Sequence, residues 1–203
     1  MNFIISLVTN FIINGIASLG YAGVGLMMAI ESACVPLPSE IIMPFAGFLA
    51  AQGEFSLFGA ALAGAVGCVA GSAAAYAAGI WGGRAFIEKY GKYILISHHD
   101  LAIADNFFNK YGSSAIFFSR LMPVVRTFIS LPAGIAKMNF GKFIIYSFLG
   151  SFPWCYGLAY LGKILGDNWN TLGVYFHKFD AVIAVAIIAG AVWYIRRHLK
   201  NNF

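Results

Sequence analysis

The sequence has few charged side chains for its 203 residues. Only 13 residues are basic and 8 are acidic, or 10% of the chain, where a typical soluble domain has roughly 25%. Hydrophobic residues make up 60%, and the mean hydropathy is +0.78. So few charges cannot cover the surface of a soluble globule that also holds 19 phenylalanines and 10 tyrosines. The composition therefore excludes an ordinary soluble domain and predicts a protein that lies in the lipid bilayer.

Cysteine and histidine are also scarce. Cys34, Cys68 and Cys155 lie in apolar sequence without paired spacing, so neither a disulfide framework nor a zinc site is indicated. The four histidines lie in connecting segments or in the C-terminal tail. A lipid phosphatase would need a nucleophilic histidine with an acid partner in its site. We therefore predict no catalytic residue, no metal and no cofactor.

Long runs without charge divide the chain, and they cover residues 1–30, 55–83, 143–162 and 181–195. A helix of about 20 apolar residues crosses a hydrocarbon core of roughly 30 Å. The first run lacks the basic N-terminal region of a cleaved signal peptide and is followed by more apolar sequence. The sequence thus predicts an all-α polytopic membrane protein with about four transmembrane helices, the last a C-terminal helix over residues 180–197.

The net charge of +5 reflects topology rather than nucleic-acid binding. Basic residues gather in residues 84–112, beside the third charge-free run and at the C-terminal end, and the positive-inside rule places these segments in the cytoplasm. Residues 84–112 alternate aromatic and charged side chains, which is typical of amphipathic helices at a membrane interface. We expect a cytoplasmic interfacial segment there and both termini in the cytoplasm.

Two remaining apolar segments, residues 31–51 and 113–136, cannot cross the bilayer if this topology holds. Each is long enough to reach the bilayer midplane and return, and each contains prolines, which interrupt a continuous helix. We predict two opposed re-entrant hairpins, formed with Pro36, Pro38, Pro44 and Gly47 in the first and Pro123, Pro132 and Gly134 in the second.

The two hairpins resemble each other in sequence. In each, a charge precedes a proline, a second charge follows it, and the segment ends with a proline and then Ala-Gly, at Gly47 and at Gly134. Because the hairpins enter from opposite sides, the chain is interpreted as one membrane domain of residues 1–203 built from an inverted repeat, about 21–83 and 113–166. Chance similarity between two apolar segments rich in glycine and proline is the alternative.

The hairpins differ in the sign of their charges. The first has Glu31 and Glu40, and the second has Arg120 and Arg126. Each charge at membrane depth costs about 2.5–3.5 kcal/mol on insertion scales, so such groups pair, face water or serve function. Arginine offers a planar fork of donors that suits phosphate, and buried carboxylates can exchange protons. We hypothesise that the arginines bind an anionic headgroup and the glutamates handle protons; the alternative is two ion pairs that only hold the hairpins together.

The pattern Glu31, Pro38, Glu40, then Arg120-Leu-Met-Pro-Val-Val-Arg126-Thr and Pro132-Ala-Gly134, resembles the DedA family of bacterial membrane proteins, which is related to the VTT domain. The resemblance covers about residues 21–166. It implies opposed re-entrant hairpins, location in the bacterial cytoplasmic membrane, and lipid translocation that depends on the proton-motive force. It also implies that Glu31, Glu40, Arg120 and Arg126 are the essential residues.

The resemblance implies a choice between two lipid substrates. Some members of that family are implicated in recycling undecaprenyl phosphate, and others in moving phosphatidylethanolamine. The function expected from the sequence is therefore a flippase for undecaprenyl phosphate coupled to protons, with phosphatidylethanolamine transport or a purely structural role as alternatives. The partners expected are a membrane lipid and protons, and the oligomeric state, a homo-oligomer included, stays open.

Overall fold

A computed structural model describes residues 2–35, 37–83, 108, 111–122 and 125–166, with side chains from Asn10 onward. Within these ranges the regular elements are all helical, as the sequence predicts. The predicted interfacial segment of residues 84–112, except residues 108, 111 and 112, lies outside the described residues, as do the C-terminal helix over residues 180–197, Pro36 and Pro123.

The helices follow one another in an all-α order. In chain order they are α1 (Asn2–Leu19), α2 (Tyr21–Ser32), α3 (Ser39–Ala51), α4 (Leu57–Ala78, continued by a π-turn Gly79–Gly83), α5 (residues 111–120), α6 (Val125–Phe128), α7 (Ser130–Ile135) and α8 (Phe140–Leu165). Side chains cap the two longest: the Ser56 hydroxyl accepts from the Gly59 N–H at 2.9 Å, and the Asn139 side chain accepts from the Lys142 N–H at 3.0 Å.

The first charge-free run is two helices and not one. Gly20 has φ 61° and ψ −136°, a conformation that glycine adopts without the steric penalty of a Cβ atom. The backbone therefore changes direction between α1 and α2, contrary to the expectation of one span over residues 1–30. In the part of the chain that is described, the helix over Leu57–Gly82 is long and apolar enough to cross a membrane. The count of four spans stays a prediction.

Among its described residues, the first predicted hairpin has one break between helices, and its re-entrant course stays a prediction. Helix α2 ends at Ser32, Cys34 adopts φ 69°, and Pro38 directly precedes α3. Pro44 lies inside α3 and is buried, contrary to the expectation that it interrupts the helix. Pro132 likewise lies inside α7, at its third residue, where a missing N–H removes no helical hydrogen bond. Proline is tolerated inside membrane helices when neighbouring elements support the backbone, and α3 packs along α8.

Glycines allow the helices to touch backbone to backbone. Gly67 and Gly71 of α4 lie against Gly25 and Ala29 of α2, so closely that an added Cβ would overlap the facing backbone. In a membrane, helices associate largely through such close van der Waals packing, since lipid is as apolar as the helix surface. These contacts place α4 at the centre of the described bundle, between α2 and α8.

Each hairpin packs its Ala-Gly end on the long helix of the other half. Gly47 of the first hairpin lies against Ala159 of α8, and Gly134 of the second lies against Tyr76 of α4. A hydrogen bond supports the second contact, because the Tyr76 hydroxyl donates to the Met138 carbonyl. Such an exchange of partners is what a two-fold repeat would produce, and the assignment of the halves stays a prediction.

Candidate functional site

An ion pair joins the two predicted hairpins. Glu31 lies in the last turn of α2 and Arg126 lies in α6, and Nη2 of Arg126 is 2.7 Å from Oε2 of Glu31. Both side chains are buried: 3% of the Arg126 side chain and 5% of the Glu31 side chain are exposed. Of the four charges singled out in the sequence, these two form a direct contact.

Side chains from three helices, α2, α4 and α8, contact the Arg126 guanidinium. Its Nη2 lies 3.8 Å from the Cys68 sulfur of α4, and its central carbon lies 5.4 Å from the centre of the Trp154 ring of α8. The latter is a cation–π contact, which stabilises a cation that has lost its water. Beside it, the Cys34 thiol donates to the Thr127 carbonyl at 3.5 Å. The two predicted hairpins therefore meet at Arg126, next to the middle of α4.

Arg120 is held in a different way. It is the largest fully buried side chain among the described residues, and its Nη1 donates to the Arg126 carbonyl at 2.7 Å. Its Nη2 points at three serine hydroxyls, at 2.7, 2.8 and 3.3 Å, from Ser72 of α4, Ser130 of α7 and Ser147 of α8. Within the described ranges no carboxylate lies at ion-pairing distance from Arg120, so these residues form one Glu–Arg ion pair and not the two of the structural alternative.

Glu40 lies in the first turn of α3 and is half-buried. It is close enough to act electrostatically on Glu31 and Arg126. No described side chain forms an ion pair or a hydrogen bond with it. The structure thus brings Glu31, Arg120 and Arg126 together and places Glu40 beside them as a second acid without a direct partner.

The site has more buried donors than acceptors. Three buried N–H donors have no hydrogen-bond partner among the described residues, Arg120 Nε, Arg126 Nη1 and Trp154 Nε1, and the buried Ser39 hydroxyl, which can donate or accept, also has none. Each such atom costs about 1–3 kcal/mol if it stays unpaired, and buried polar groups are normally paired. The unpaired N–H groups suit an anion rather than a cation. No cluster of three metal-ligating side chains is found in the described part of the chain.

Sequence reasoning missed the neutral residues of the site, which are Ser72, Ser130, Ser147, Cys68 and Trp154. Ser72 and Ser147 each lie inside a charge-free run of the sequence. A hydroxyl in such a run is a signal for contact between helices, but it does not name the partner. The arginines could be found because charge is rare in apolar sequence, whereas serine is common in membrane helices.

Comparison with known proteins places the chain among bacterial membrane proteins. The model of the VTT domain matches residues 37–164. The membrane protein YkoX of Bacillus subtilis is 39% identical over 90% of this chain and 81% of its own length. Undecaprenyl phosphate transporter A of Bacillus subtilis is 38% identical over 88% of this chain and 89% of its own. An alkaline phosphatase-like protein of Lactococcus lactis is 35% identical over 83% of this chain and 81% of its own length. No solved structure matches.

Proposed function

The chain belongs to the VTT-domain, or DedA, family of membrane proteins, and from this premise we propose that it moves undecaprenyl phosphate across the bacterial cytoplasmic membrane. The name of a relative that matches this chain over most of its length supports the choice of lipid. In this proposal the protein is a transporter and not an enzyme, and both of its termini lie in the cytoplasm.

The environment of the Arg126 guanidinium is the observation that carries the proposal. This guanidinium is removed from water, it has one carboxylate partner from the opposite hairpin, and its Nη1 has no partner among the described residues. A phosphate monoester offers several acceptor oxygens and binds an arginine fork through charge-assisted hydrogen bonds. The headgroup would therefore compete with Glu31 for Arg126 and receive hydrogen bonds that the protein alone does not satisfy.

Displacement of Glu31 from Arg126 by the phosphate would couple lipid binding to the uptake of a proton. Burial disfavours a charged carboxylate, and a paired cation offsets this effect. Once phosphate occupies Arg126, a proton on Glu31 removes the uncompensated charge. Binding of an anion and uptake of a proton are then coupled at the same ion pair, with Glu40 beside it as the second acid that exchanges protons.

The reciprocal glycine contacts support alternating access. Each hairpin rests on the long helix of the other half, through Gly47 and through Gly134. Inverted repeats that meet at a central site are common in secondary transporters, in which one half rocks against the other. We propose that the paired tips, joined by Glu31 and Arg126, open towards one leaflet at a time.

Transport in liposomes tests this function. Purified protein is reconstituted, and the movement of undecaprenyl phosphate and of phosphatidylethanolamine between leaflets is measured with and without a pH gradient. We expect movement of undecaprenyl phosphate that responds to the gradient and is lost in Arg126→Ala. Equal movement of both lipids without regard to the gradient would contradict the proposal.

A control for enzymatic activity belongs to the same experiment. A phosphatase would release inorganic phosphate from the lipid, whereas a transporter leaves the lipid intact. We expect no inorganic phosphate after incubation of the purified protein with undecaprenyl phosphate. Its release would favour an enzyme.

A further inference from the structure

The two arginines of the second hairpin differ in what surrounds them. Arg126 faces a carboxylate, a tryptophan ring and a cysteine sulfur. Arg120 faces three neutral hydroxyls and a backbone carbonyl, and only 1% of it is exposed. The same residue type therefore sits in two chemical environments six positions apart.

The contacts of Arg120 join four elements. Its Nη2 reaches hydroxyls from α4, α7 and α8, and its Nη1 reaches the carbonyl of Arg126 in α6. A planar guanidinium can serve acceptors in several directions at fixed angles, which an ammonium on a flexible stem does not reproduce. Arg120 thus links the second hairpin to both long helices and fixes the backbone of Arg126.

Gly150 of α8 makes room for this arrangement. A Cβ added at Gly150 would lie 2.7 Å from the Arg120 Cβ and 2.9 Å from the Phe117 carbonyl. Helix α8 can therefore approach closely enough for Ser147, one turn earlier, to reach the Arg120 guanidinium.

We propose that Ser72, Ser130 and Ser147 form a hydroxyl cage that makes Arg120 a positioning residue, which holds the Arg126 backbone so that Arg126 binds the lipid phosphate. This inference rests on the proposed function and separates the roles of two arginines that the sequence assigned to phosphate alike. Both terminal nitrogens of Arg120 donate to acceptors of the protein itself, and its Nε is the atom without a partner among the described residues. Phosphate binding at those nitrogens would have to break this cage.

Lysine substitutions separate the two roles. A lysine can still bind phosphate as a point charge, but it cannot span three hydroxyls and a carbonyl. We expect Arg126→Lys to keep part of the affinity for undecaprenyl phosphate, measured on purified protein in detergent, and Arg120→Lys to bind as weakly as Arg120→Ala. If Arg120→Lys binds like the unaltered protein, Arg120 contacts the phosphate directly and the inference is wrong.

Serine substitutions test the cage itself. We expect Ser72→Ala combined with Ser147→Ala to raise the half-saturating lipid concentration about tenfold, which corresponds to roughly 1.4 kcal/mol. Ser151→Ala is the matched control, because Ser151 is buried on the same helix as Ser147 and has no described bond to Arg120. We expect it to change the affinity less than twofold. Unchanged affinity in the folded double variant would overturn the inference.

The rate of Cys34 alkylation separates positioning from a general loss of fold. The half-buried Cys34 thiol donates a hydrogen bond to the Thr127 carbonyl, next to Arg126, whereas Cys68 and Cys155 are buried. We expect a membrane-permeant maleimide to label Cys34 several-fold faster in the single variants Ser72→Ala and Ser147→Ala, both of which should still unfold in one cooperative thermal transition. Unchanged labelling in these folded variants also contradicts the inference. If Arg126→Ala binds the lipid as well as the unaltered protein, it is the proposed function that fails.

Discussion

Glu31 and Arg126 lie 95 residues apart in the sequence and form a buried ion pair whose nitrogen and oxygen are 2.7 Å apart. The pair joins the end of α2 to the short helix α6, and it is the direct bond between opposite charges that the described residues of the two predicted hairpins form. Both the stability of the fold and the proposed transport depend on it, so the first predictions concern these two residues.

Glu31→Gln and Arg126→Gln should each destabilise the protein by about 3–5 kcal/mol, because each leaves a buried charge without its partner. The double variant should lose less than the sum, since it leaves neither charge behind. Unfolding in mild detergent, arranged as a double-mutant cycle, measures this coupling. Glu54→Gln, at an exposed acid in the connection before α4, is the control and should change stability by less than about 0.5 kcal/mol. Additive effects would show that the pair contributes no coupling.

Glu40→Gln should separate transport from stability. Because no described side chain pairs with Glu40, we expect its loss to change the free energy of unfolding by less than about 1 kcal/mol. The proposed proton role predicts that lipid movement in liposomes no longer responds to an imposed pH gradient. A variant that still responds fully would remove Glu40 from the proton pathway and leave Glu31 as the acid of the mechanism.

The sequence identified the four charges but not their pairing. Charge is costly in apolar sequence, so Glu31, Glu40, Arg120 and Arg126 could be singled out by position alone. Which acid meets which arginine depends on how the hairpins pack against α4, and no local pattern encodes this. The alternative of two Glu–Arg ion pairs does not hold for Arg120, whose partners among the described residues are three hydroxyls and the Arg126 carbonyl.

Local rules failed where tertiary packing overrides them. Proline in a helix interior removes a hydrogen bond, yet Pro44 continues α3 where that helix lies against Gly162 of α8. The sequence does not predict the helix break at Gly20, because glycines are frequent in membrane helices and this glycine lies in a run with several others. The helical class and the apolar runs could be predicted because they depend on composition and period, which are local.

Tyr76→Phe should destabilise the protein by about 1 kcal/mol. The Tyr76 ring is 3% exposed and lies 4.7 Å from the Phe143 ring, so phenylalanine keeps the packing and loses only the hydroxyl bond to the Met138 carbonyl. Removing a neutral hydrogen bond costs about 0.5–1.5 kcal/mol. The melting temperature in detergent measures the loss, and Tyr156→Phe, at a ring 40% exposed, is the control. Equal effects of the two substitutions would mean that the Met138 bond contributes nothing.

Gly162 and Gly157 lie on the same helix, α8, and the same substitution should change stability in opposite directions at the two positions. A Cβ at Gly162 would overlap the backbone of Pro44, so Gly162→Ala forces α3 and α8 apart, and such overpacking costs about 1–3 kcal/mol. Nothing lies within 4 Å of a Cβ at Gly157, so Gly157→Ala should stabilise the helix by about 0.5–1 kcal/mol. Melting temperatures of both variants in the same detergent decide it. A loss of stability at both positions would point to a general intolerance of α8 and against the specific contact with Pro44.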